Sequence, residues 1–157
     1  MKIIDNFLPK EEFKKIQDTM LSNSFAYYFN GFVANEEDNK NFYFNHNIYK
    51  DHMPRSEFFD ALQIVYNKLN VRALYRVKAN CFPRTDKLIK YGEHVDVDFK
   101  HKGALLSINT CNGGTLLGEK FIPSIENRML LFDPSTKHRS TNCTDEPCRL
   151  NINFNYF

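Results

Sequence analysis

The residues best suited to chemistry are two histidines and an aspartate in the second half of the chain. His94 and Asp96 are two positions apart in YGEHVDVDF, and His138 follows 44 residues after His94. In an extended chain alternate side chains point to the same side, so His94 and Asp96 would lie a few ångströms apart. Two histidines and one carboxylate, without a cysteine, are the ligands of the facial triad that holds non-haem Fe(II) and leaves coordination positions open. The spacing therefore predicts an iron site that is able to bind oxygen.

The last segment, CRLNINFNYF, predicts a strand with two unlike faces. Side-chain alternation separates polar Arg149, Asn151, Asn153 and Asn155 from apolar Leu150, Ile152, Phe154 and Tyr156. A strand with a basic, amide-rich face lines a polar space. Arg149 lies 11 residues after His138, and its planar guanidinium is suited to binding a carboxylate through two hydrogen bonds.

Each of these features also has an ordinary explanation. An H-x-D pair arises on strand surfaces by chance, and a single strand arginine is most often solvated and paired with a surface acid. Asp98 shares the parity of Asp96 and is expected to be a surface acid or to support the site. His46 and His52 are expected to be packing or surface residues.

The sequence offers little support for a zinc site. His138, Cys143 and Cys148 have the spacing H-x4-C-x4-C, but no fourth ligand follows at a suitable distance. Because no CxxC motif or secretory context is present, we expect the four cysteines, Cys81, Cys111, Cys143 and Cys148, to be reduced thiols.

The composition predicts one domain without a strong electrostatic preference for a partner. A chain of 157 residues is long enough for a single core, and 21 basic against 19 acidic residues give a net charge of only +2. Nucleic acid and a membrane surface are therefore not indicated as partners. The start MKIIDNFLPKEEF lacks the apolar run of a signal peptide, and no segment approaches the roughly 20 apolar residues of a membrane span. We expect a soluble, intracellular protein.

Helices are predicted early in the chain and strands later. Residues 3–7 predict a short strand, residues 8–23 a helix, and residues 56–69 a second helix. Residues 25–49 predict two strands joined by a polar turn at 35–40. Short strands then follow at 71–82, 92–97, 103–110, 115–123, 126–133, 137–142 and 148–157. The order predicts an α+β, mainly β domain over residues 1–157, with a helix-bearing part at 1–70 and a sandwich or jelly roll at 71–157.

The pattern His94-x-Asp96, then His138, then Arg149 resembles the Fe(II)/2-oxoglutarate-dependent oxygenase superfamily. Within it, the chain looks most like the small prolyl-4-hydroxylase-like proteins, including those of marine bacteriophages. The opening IIDNFLPKEEF is also similar to the start of such proteins. The resemblance spans most of the chain and implies a double-stranded β-helix, or jelly roll, over about residues 71–157 with two helices before it. For a phage-encoded protein the location would be the host cytoplasm.

The resemblance implies a role for seven residues. His94, Asp96 and His138 would be the catalytic iron ligands, and the residues around 2-oxoglutarate would be Arg149, Asn80, Tyr91 and Asn151. Arg149 would bind the distal carboxylate of the cosubstrate, and Asn80 would present its amide from a preceding strand. Tyr91 and Asn151 are weaker candidates, since either residue could instead pack or hold a turn.

The implied activity is hydroxylation of a C–H bond with Fe(II), 2-oxoglutarate and O2, with ascorbate as an optional reductant. The cosubstrate would become succinate and CO2, and a prolyl residue in a peptide or protein is one candidate substrate. Nucleic-acid demethylases of this superfamily carry R-x-N-x-T-F-R on the last strand, whereas this chain has Asn153 and Asn155 in place of the threonine and second arginine. That difference weakens the demethylase alternative. A cupin-like enzyme without 2-oxoglutarate and a non-catalytic jelly-roll binding protein remain as further alternatives.

Overall fold

The strands of the chain form two antiparallel sheets. The structure is a computed structural model that describes residues 1–34 and 41–157, so the turn predicted at 35–40 lies outside the described residues. The strands are β1 Lys2–Ile4, β2 Tyr28–Asn30, β3 Tyr43–Lys50, β4 Met53–Pro54, β5 Leu74–Pro83, β6 Lys102–Ser107, β7 Gly114–Leu117, β8 Lys120–Pro123, β9 Met129–Phe132, β10 His138–Ser140 and β11 Cys148–Tyr156.

The order of the strands is that of a jelly roll. The large sheet has the order β1-β9-β6-β11-β5-β3-β2, with β4 paired to β3, and the small sheet has the order β10-β7-β8. Every strand pair is antiparallel, and β11 lies in the middle of the large sheet between β5 and β6. The mainly β architecture predicted from the sequence is confirmed.

The helices belong to the first 70 residues. Helix α1 covers Lys10–Leu21. The region predicted as a second helix is divided into a 3-10 helix, Glu57–Leu62, and a short α2, Gln63–Lys68. Its first turn closes through a hydrogen bond from the Phe59 N–H to the Ser56 carbonyl at 3.1 Å, the three-residue spacing of a 3-10 helix. No helix among residues 1–34 and 41–157 is long and apolar enough to cross a membrane.

The main hydrophobic core lies between the helices and one face of the large sheet. Helix α1 contributes Phe13, Ile16 and Met20, and the sheet contributes residues such as Ile152 and Phe154, all of them buried. Full burial of each such side chain stabilises the fold by about 1.5–3 kcal/mol. The helices thus cover one face of the sheet and leave the opposite face for the small sheet.

A second, smaller cluster lies on the opposite face. Leu105, Ile122, Leu130 and Phe132 pack together there, with Ile122 coming from the small sheet. The apolar runs at 104–106 and 129–132 are mostly buried, and their residues alternate between the two clusters.

The segment at 92–97 is not the regular strand that the sequence predicts. His94 forms an isolated antiparallel bridge with His138, in which their N–H and carbonyl groups exchange hydrogen bonds of 3.0 and 2.9 Å. The Asp96 N–H then donates to the Pro134 carbonyl at 3.0 Å. Because proline has no N–H to return a bond, the ladder cannot continue at that point.

Candidate metal and cosubstrate site

The three predicted metal ligands come together between the two sheets. One ligand atom each from His94, Asp96 and His138 lies within 4.8 Å of the other two. The rings of His94 and His138 have centroids 4.5 Å apart. The backbone bridge between the two histidines explains this proximity, because residues directly opposite each other in an antiparallel pair carry their side chains on the same side.

Both histidines are oriented by hydrogen bonds to the backbone. The Nδ1 atom of His138 lies 2.9 Å from the Thr136 carbonyl, and that of His94 lies 3.3 Å from the Gly92 carbonyl. A carbonyl only accepts, so Nδ1 carries the proton in each ring and Nε2 is left as the lone-pair donor. Such bonds fix the tautomer and ring orientation of metal-binding histidines.

Asp96 is held in place through both of its oxygens. Its Oδ1 atom pairs with Arg76 at 2.9 Å, and Oδ2 accepts from the side-chain amides of Asn153 at 3.0 Å and Asn155 at 2.9 Å. Burial alone would raise the pKa of Asp96, but Arg76, the two amides and nearby His138 hold this pKa well below its usual range. Asp96 is therefore a carboxylate with a fixed orientation.

The electrostatics also favour a neutral His94. Burial is the main cause that lowers its pKa, and the neighbouring His138 lowers it further, while the Gly92 carbonyl and Asp96 oppose this shift without reversing it. An imidazole that stays neutral at pH 7 keeps its lone pair available for a metal. The donor set and its protonation state thus fit Fe(II), whose facial triad consists of two histidines and one carboxylate.

Arg149 is a buried cation beside this cluster. Its side chain is 1% exposed, and it donates to the Thr141 carbonyl and to the Thr115 hydroxyl, each at 2.9 Å. The guanidinium also lies over the Phe82 ring, 5.4 Å from the centroid, while Nε has no hydrogen-bond partner. Burial lowers the pKa of Arg149 to about 10, which still leaves it charged at neutral pH. A buried charge whose bonds go only to neutral groups favours an anionic ligand.

Several amide groups near the triad also lack partners. Asn80 donates to the Asn151 oxygen at 2.8 Å. Three buried atoms nevertheless have no hydrogen-bond partner within the described chain, namely Asn80 Oδ1, Asn151 Nδ2 and Asn153 Oδ1. Buried polar atoms without partners cost about 1–3 kcal/mol each, so their concentration here indicates a place that a polar ligand completes.

A narrow cavity connects these groups. The triad residues, Asn80, Asn151, Asn153 and Thr115 line it, and Phe82, Leu105 and Phe132 form its apolar walls. Its volume of about 40 Å³ is small for a five-carbon dicarboxylate. Binding would therefore require side chains at the cavity to change rotamer, a common adjustment on ligand binding. Lys78 and Tyr43, which also line the cavity, meet through a 3.1 Å hydrogen bond between Nζ and the phenol oxygen.

Known structures with the same fold come from several organisms, although the sequence itself matches no protein-family model and no curated protein. A prolyl hydroxylase from Trichoplax adhaerens, in complex with a hypoxia inducible factor peptide, is 17% identical with a TM-score of 0.70, over 99% of this chain and 82% of that one. The viral collagen prolyl hydroxylase of Paramecium Bursaria Chlorella virus-1, in its 2-oxoglutarate complex, is 13% identical with a TM-score of 0.60, over 98% and 93%. HygX from Streptomyces hygroscopicus, with nickel and 2-oxoglutarate bound, is 13% identical with a TM-score of 0.66, over 98% and 81%.

These similarities identify the fold. The chain has the fold of the Fe(II)/2-oxoglutarate-dependent oxygenases. The resemblance drawn from the sequence is thereby confirmed at the level of the fold, with prolyl hydroxylases among its neighbours. Because the identities are 17% or lower, the chemistry has to follow from the residues of the site.

On this oxygenase fold, six of the seven predicted site residues lie together. His94, Asp96, His138, Asn80 and Asn151 line the cavity, and Arg149 lies directly behind Phe82 and Thr115. Tyr91 is buried and stacks on Phe82 with centroids 5.6 Å apart, outside the lining of the cavity. Its contact with 2-oxoglutarate stays a prediction, and the geometry shows a packing role for its ring.

Sequence reasoning missed the residues that hold the predicted ligands. Arg76, Asn153 and Asn155 bind Asp96, while Thr115 and Thr141 bind Arg149. Strand parity contained part of the signal, because Asn153 and Asn155 share a face with Arg149 and Arg76 shares a face with Asn80. Parity does not predict the bonds to Asp96 and Arg149 themselves, because these bonds join segments that are far apart in the chain.

The remaining candidates lie elsewhere. His46 stacks on Phe25 with centroids 4.7 Å apart and lies in a wider surface groove of about 930 Å³, which is away from the triad. Asp98 is exposed, as expected for a surface acid. His52 lies at a turn with a positive φ of 62° and is exposed.

Proposed function

We propose that the protein is an Fe(II)- and 2-oxoglutarate-dependent oxygenase that hydroxylates a C–H bond. The observation that carries this proposal is that the cavity lined by the triad reaches Thr115 and Phe82, the two residues that Arg149 contacts. His94, Asp96 and His138 line this cavity, and the buried Arg149 lies next to its Thr115 and Phe82 walls, without an acidic partner among the described residues. A ligand that chelates a metal and carries a distant carboxylate suits both the triad and Arg149, as 2-oxoglutarate does.

His94, Asp96 and His138 would hold the iron, and Arg149 would bind the distal carboxylate of the cosubstrate. The bound iron and 2-oxoglutarate supply the oxidative chemistry, in which O2, 2-oxoglutarate and a C–H bond give succinate, CO2 and an alcohol. The protein itself would orient the cosubstrate. The two bonds from Arg149 to Thr141 and Thr115 fix the guanidinium plane, and so the direction from which a carboxylate can bind.

The unpaired amide groups support a role for Asn80 and Asn151 beside the cosubstrate. Their mutual hydrogen bond leaves one acceptor, Asn80 Oδ1, and one donor, Asn151 Nδ2, without a partner among the described residues. The Asn151 donor suits a carboxylate oxygen of 2-oxoglutarate. Phe82, Leu105 and Phe132 would exclude water from the same space, which strengthens each of these polar contacts.

For the substrate we propose a peptide or protein, with prolyl residues tested first. Several of the structural neighbours are prolyl hydroxylases, and one of these was solved with a peptide. The demethylase alternative is less well supported, because Asn153 and Asn155 bind Asp96 here in place of the residues that distinguish those enzymes. The net charge of +2 also provides no attraction for a polynucleotide.

The test is oxygen-dependent succinate formation from 2-oxoglutarate in the presence of Fe(II) and ascorbate, with and without pools of prolyl peptides and oligonucleotides. The wild type should form succinate, and peptides should stimulate it. His94→Ala should form none, whereas His46→Ala, which changes a histidine outside the cavity, should match the wild type. Equal activity of the wild type and His94→Ala, or no succinate from either, would overturn the proposal.

A further inference from the structure

Two thiols and a carboxylate meet near Arg149, and none of them lines the cavity. Cys111 lies between β6 and β7, and Cys143 and Asp145 lie between β10 and β11. One ligand atom from each lies within 4.8 Å of the other two. We propose that these three residues form a second metal site, which binds a thiophilic divalent ion of the Zn(II) type.

The donor set suits such an ion. Two thiolates and one carboxylate are ligands that zinc accepts, and tetrahedral zinc with Zn–S bonds of about 2.3 Å places its ligand atoms roughly 3.8 Å apart. The present separations exceed that value by about 1 Å at most. Small rotations of the three side chains would therefore close the site around an ion. The iron triad differs in chemistry, since it has no sulfur ligand.

Hydrogen bonds connect the loop of Cys111 to the loop of Cys143 and Asp145. Both oxygens of Asp145 accept from the Asn112 N–H, at 3.0 and 2.9 Å. The Asn112 side chain accepts from the Thr144 N–H at 3.0 Å and donates to the Thr144 hydroxyl at 2.6 Å. Metal-binding carboxylates are commonly held by such hydrogen bonds. Asp145 is thus fixed next to the thiols, and its oxygens keep lone pairs for an ion.

A glycine allows the loops to approach this closely. A Cβ atom on Gly113 would lie only 2.0 Å from the Asn142 carbonyl oxygen and 3.0 Å from Cδ of Arg149. Since atoms cannot approach so closely, a side chain at position 113 would separate the strand-connecting loops. Gly113 therefore lets the loop of Cys111 lie directly on the loop of Cys143.

The burial of the three ligands and the net charge of the site suit an ion that keeps one coordination position open. Cys111 is 6% exposed and Cys143 is 0% exposed, whereas Asp145 is exposed and provides an entry path. Metal binding displaces the thiol protons. Two thiolates, one carboxylate and a divalent ion then have a net charge of −1, which the nearby buried cation of Arg149 balances. Water would take the fourth position.

The other cysteine pair provides a matched control. Cys81 and Cys148 lie on the neighbouring strands β5 and β11, and their thiols are close enough that each shifts the pKa of the other. No acidic or histidine ligand joins them in a cluster among residues 1–34 and 41–157. The chain thus contains two pairs of neighbouring thiols, and only the pair of Cys111 and Cys143 has a third ligand.

The ion would tie together the two loops that hold Arg149. Cys143 lies two residues after Thr141, and Cys111 lies four residues before Thr115, the two groups that accept from the guanidinium. The bound ion would thereby stabilise the two loops next to the threonines that accept hydrogen bonds from Arg149. It does not depend on the proposed oxygenase activity, because none of its ligands lines the cavity.

The experiment is a Co(II) titration of the reduced, metal-free protein, followed by the sulfur-to-cobalt charge-transfer absorption and by counting bound ions. The wild type should bind two ions per chain, one of them with the charge-transfer band. His94→Ala should keep the band and bind one ion. Cys111→Ser, Cys143→Ser and the exposed Asp145→Asn should lose it or bind at least roughly tenfold more weakly. Asp145→Asn retains an oxygen for the Asn112 N–H, so the folded loop survives this change.

The double variant Cys81→Ser, Cys148→Ser should behave like the wild type. A titration that shows no charge-transfer band in the wild type would overturn the proposal. A band that survives in Cys111→Ser and disappears in the double variant would also overturn it, because the ion would then be bound by the other pair. Repeating the titration with Zn(II) in competition should displace the cobalt band.

Discussion

The two faces of strand β11 serve different purposes although all of their side chains are enclosed. Leu150, Ile152, Phe154 and Tyr156 on one face pack into the main hydrophobic core. Arg149, Asn151, Asn153 and Asn155 on the other face are equally buried. Three of these four polar residues keep an atom without a hydrogen-bond partner in the described protein.

The apolar face of β11 stabilises the fold, whereas its polar face is suited to binding a ligand. Apolar burial stabilises the folded chain directly. A buried polar face with unpaired atoms costs stability and is useful only when another molecule completes it. Substitutions on the two faces should therefore affect different measurements.

The largest effect is expected on the apolar face. Phe154 is 0% exposed and packs edge-on against Tyr66, with centroids 6.2 Å apart. Phe154→Ala should lower the free energy of unfolding by about 3–5 kcal/mol, because it leaves a cavity in the core. Denaturant unfolding of the metal-free protein measures this loss. A loss below about 1 kcal/mol would contradict the assignment of this face to the core.

The second effect is expected in metal binding. Arg76→Met removes the ion pair with Asp96 and should weaken Mn(II) or Fe(II) binding by roughly 10–100-fold, since groups that orient metal ligands have effects of that size. Arg55→Met is the matched control, because the pair of Arg55 with Asp51 is exposed and neither residue lines the cavity of the triad. It should leave metal affinity unchanged and cost at most about 1 kcal/mol of stability. Equal metal affinities in the two variants would remove Arg76 from the site.

The third effect is a pH dependence carried by Asp96. Its pKa in the folded state lies below the reference value of 3.8, so the carboxylate contributes stability at pH values above 3.8 that is lost as the pH falls toward the lowered value. Between about pH 5 and pH 3, unfolding of the metal-free wild type should therefore lose more free energy than unfolding of Asp96→Asn. Parallel pH profiles for the two proteins would show that Asp96 is not held by Arg76 and the amides.

The smallest effect is expected for Arg149 in the absence of ligands. Arg149→Met replaces a buried charge by an apolar side chain of similar length, an exchange that is often neutral or stabilising. The free energy of unfolding of the metal-free protein should change by less than about 1 kcal/mol or should rise. A loss as large as that of Phe154→Ala would mean that the guanidinium serves the fold itself.

The sequence indicated the candidate ligands but not the residues that hold them. His94, Asp96, His138 and Arg149 stood out because their residue types and order indicate a particular chemistry. The bonds of Asn155 and Arg76 to Asp96 could not be predicted, since they depend on the register of β11 against β5 and on where the irregular segment at 92–97 lies. Periodicity also predicted the second helix without its 3-10 turn, because both helix types share a similar apolar spacing.

In the proposed function, the polar face of β11 and the triad together bind 2-oxoglutarate on a metal. The most direct measurement is calorimetric titration of 2-oxoglutarate into the Mn(II)-loaded protein, the metal-free protein and Mn(II)-loaded Arg149→Met. The wild type should bind only when it holds metal, and Arg149→Met should bind on the order of 100-fold more weakly, about 2.7 kcal/mol. If 2-oxoglutarate does not bind to the metal-loaded wild type, or binds equally well to Arg149→Met, then the polar face of β11 and the triad do not form one 2-oxoglutarate site.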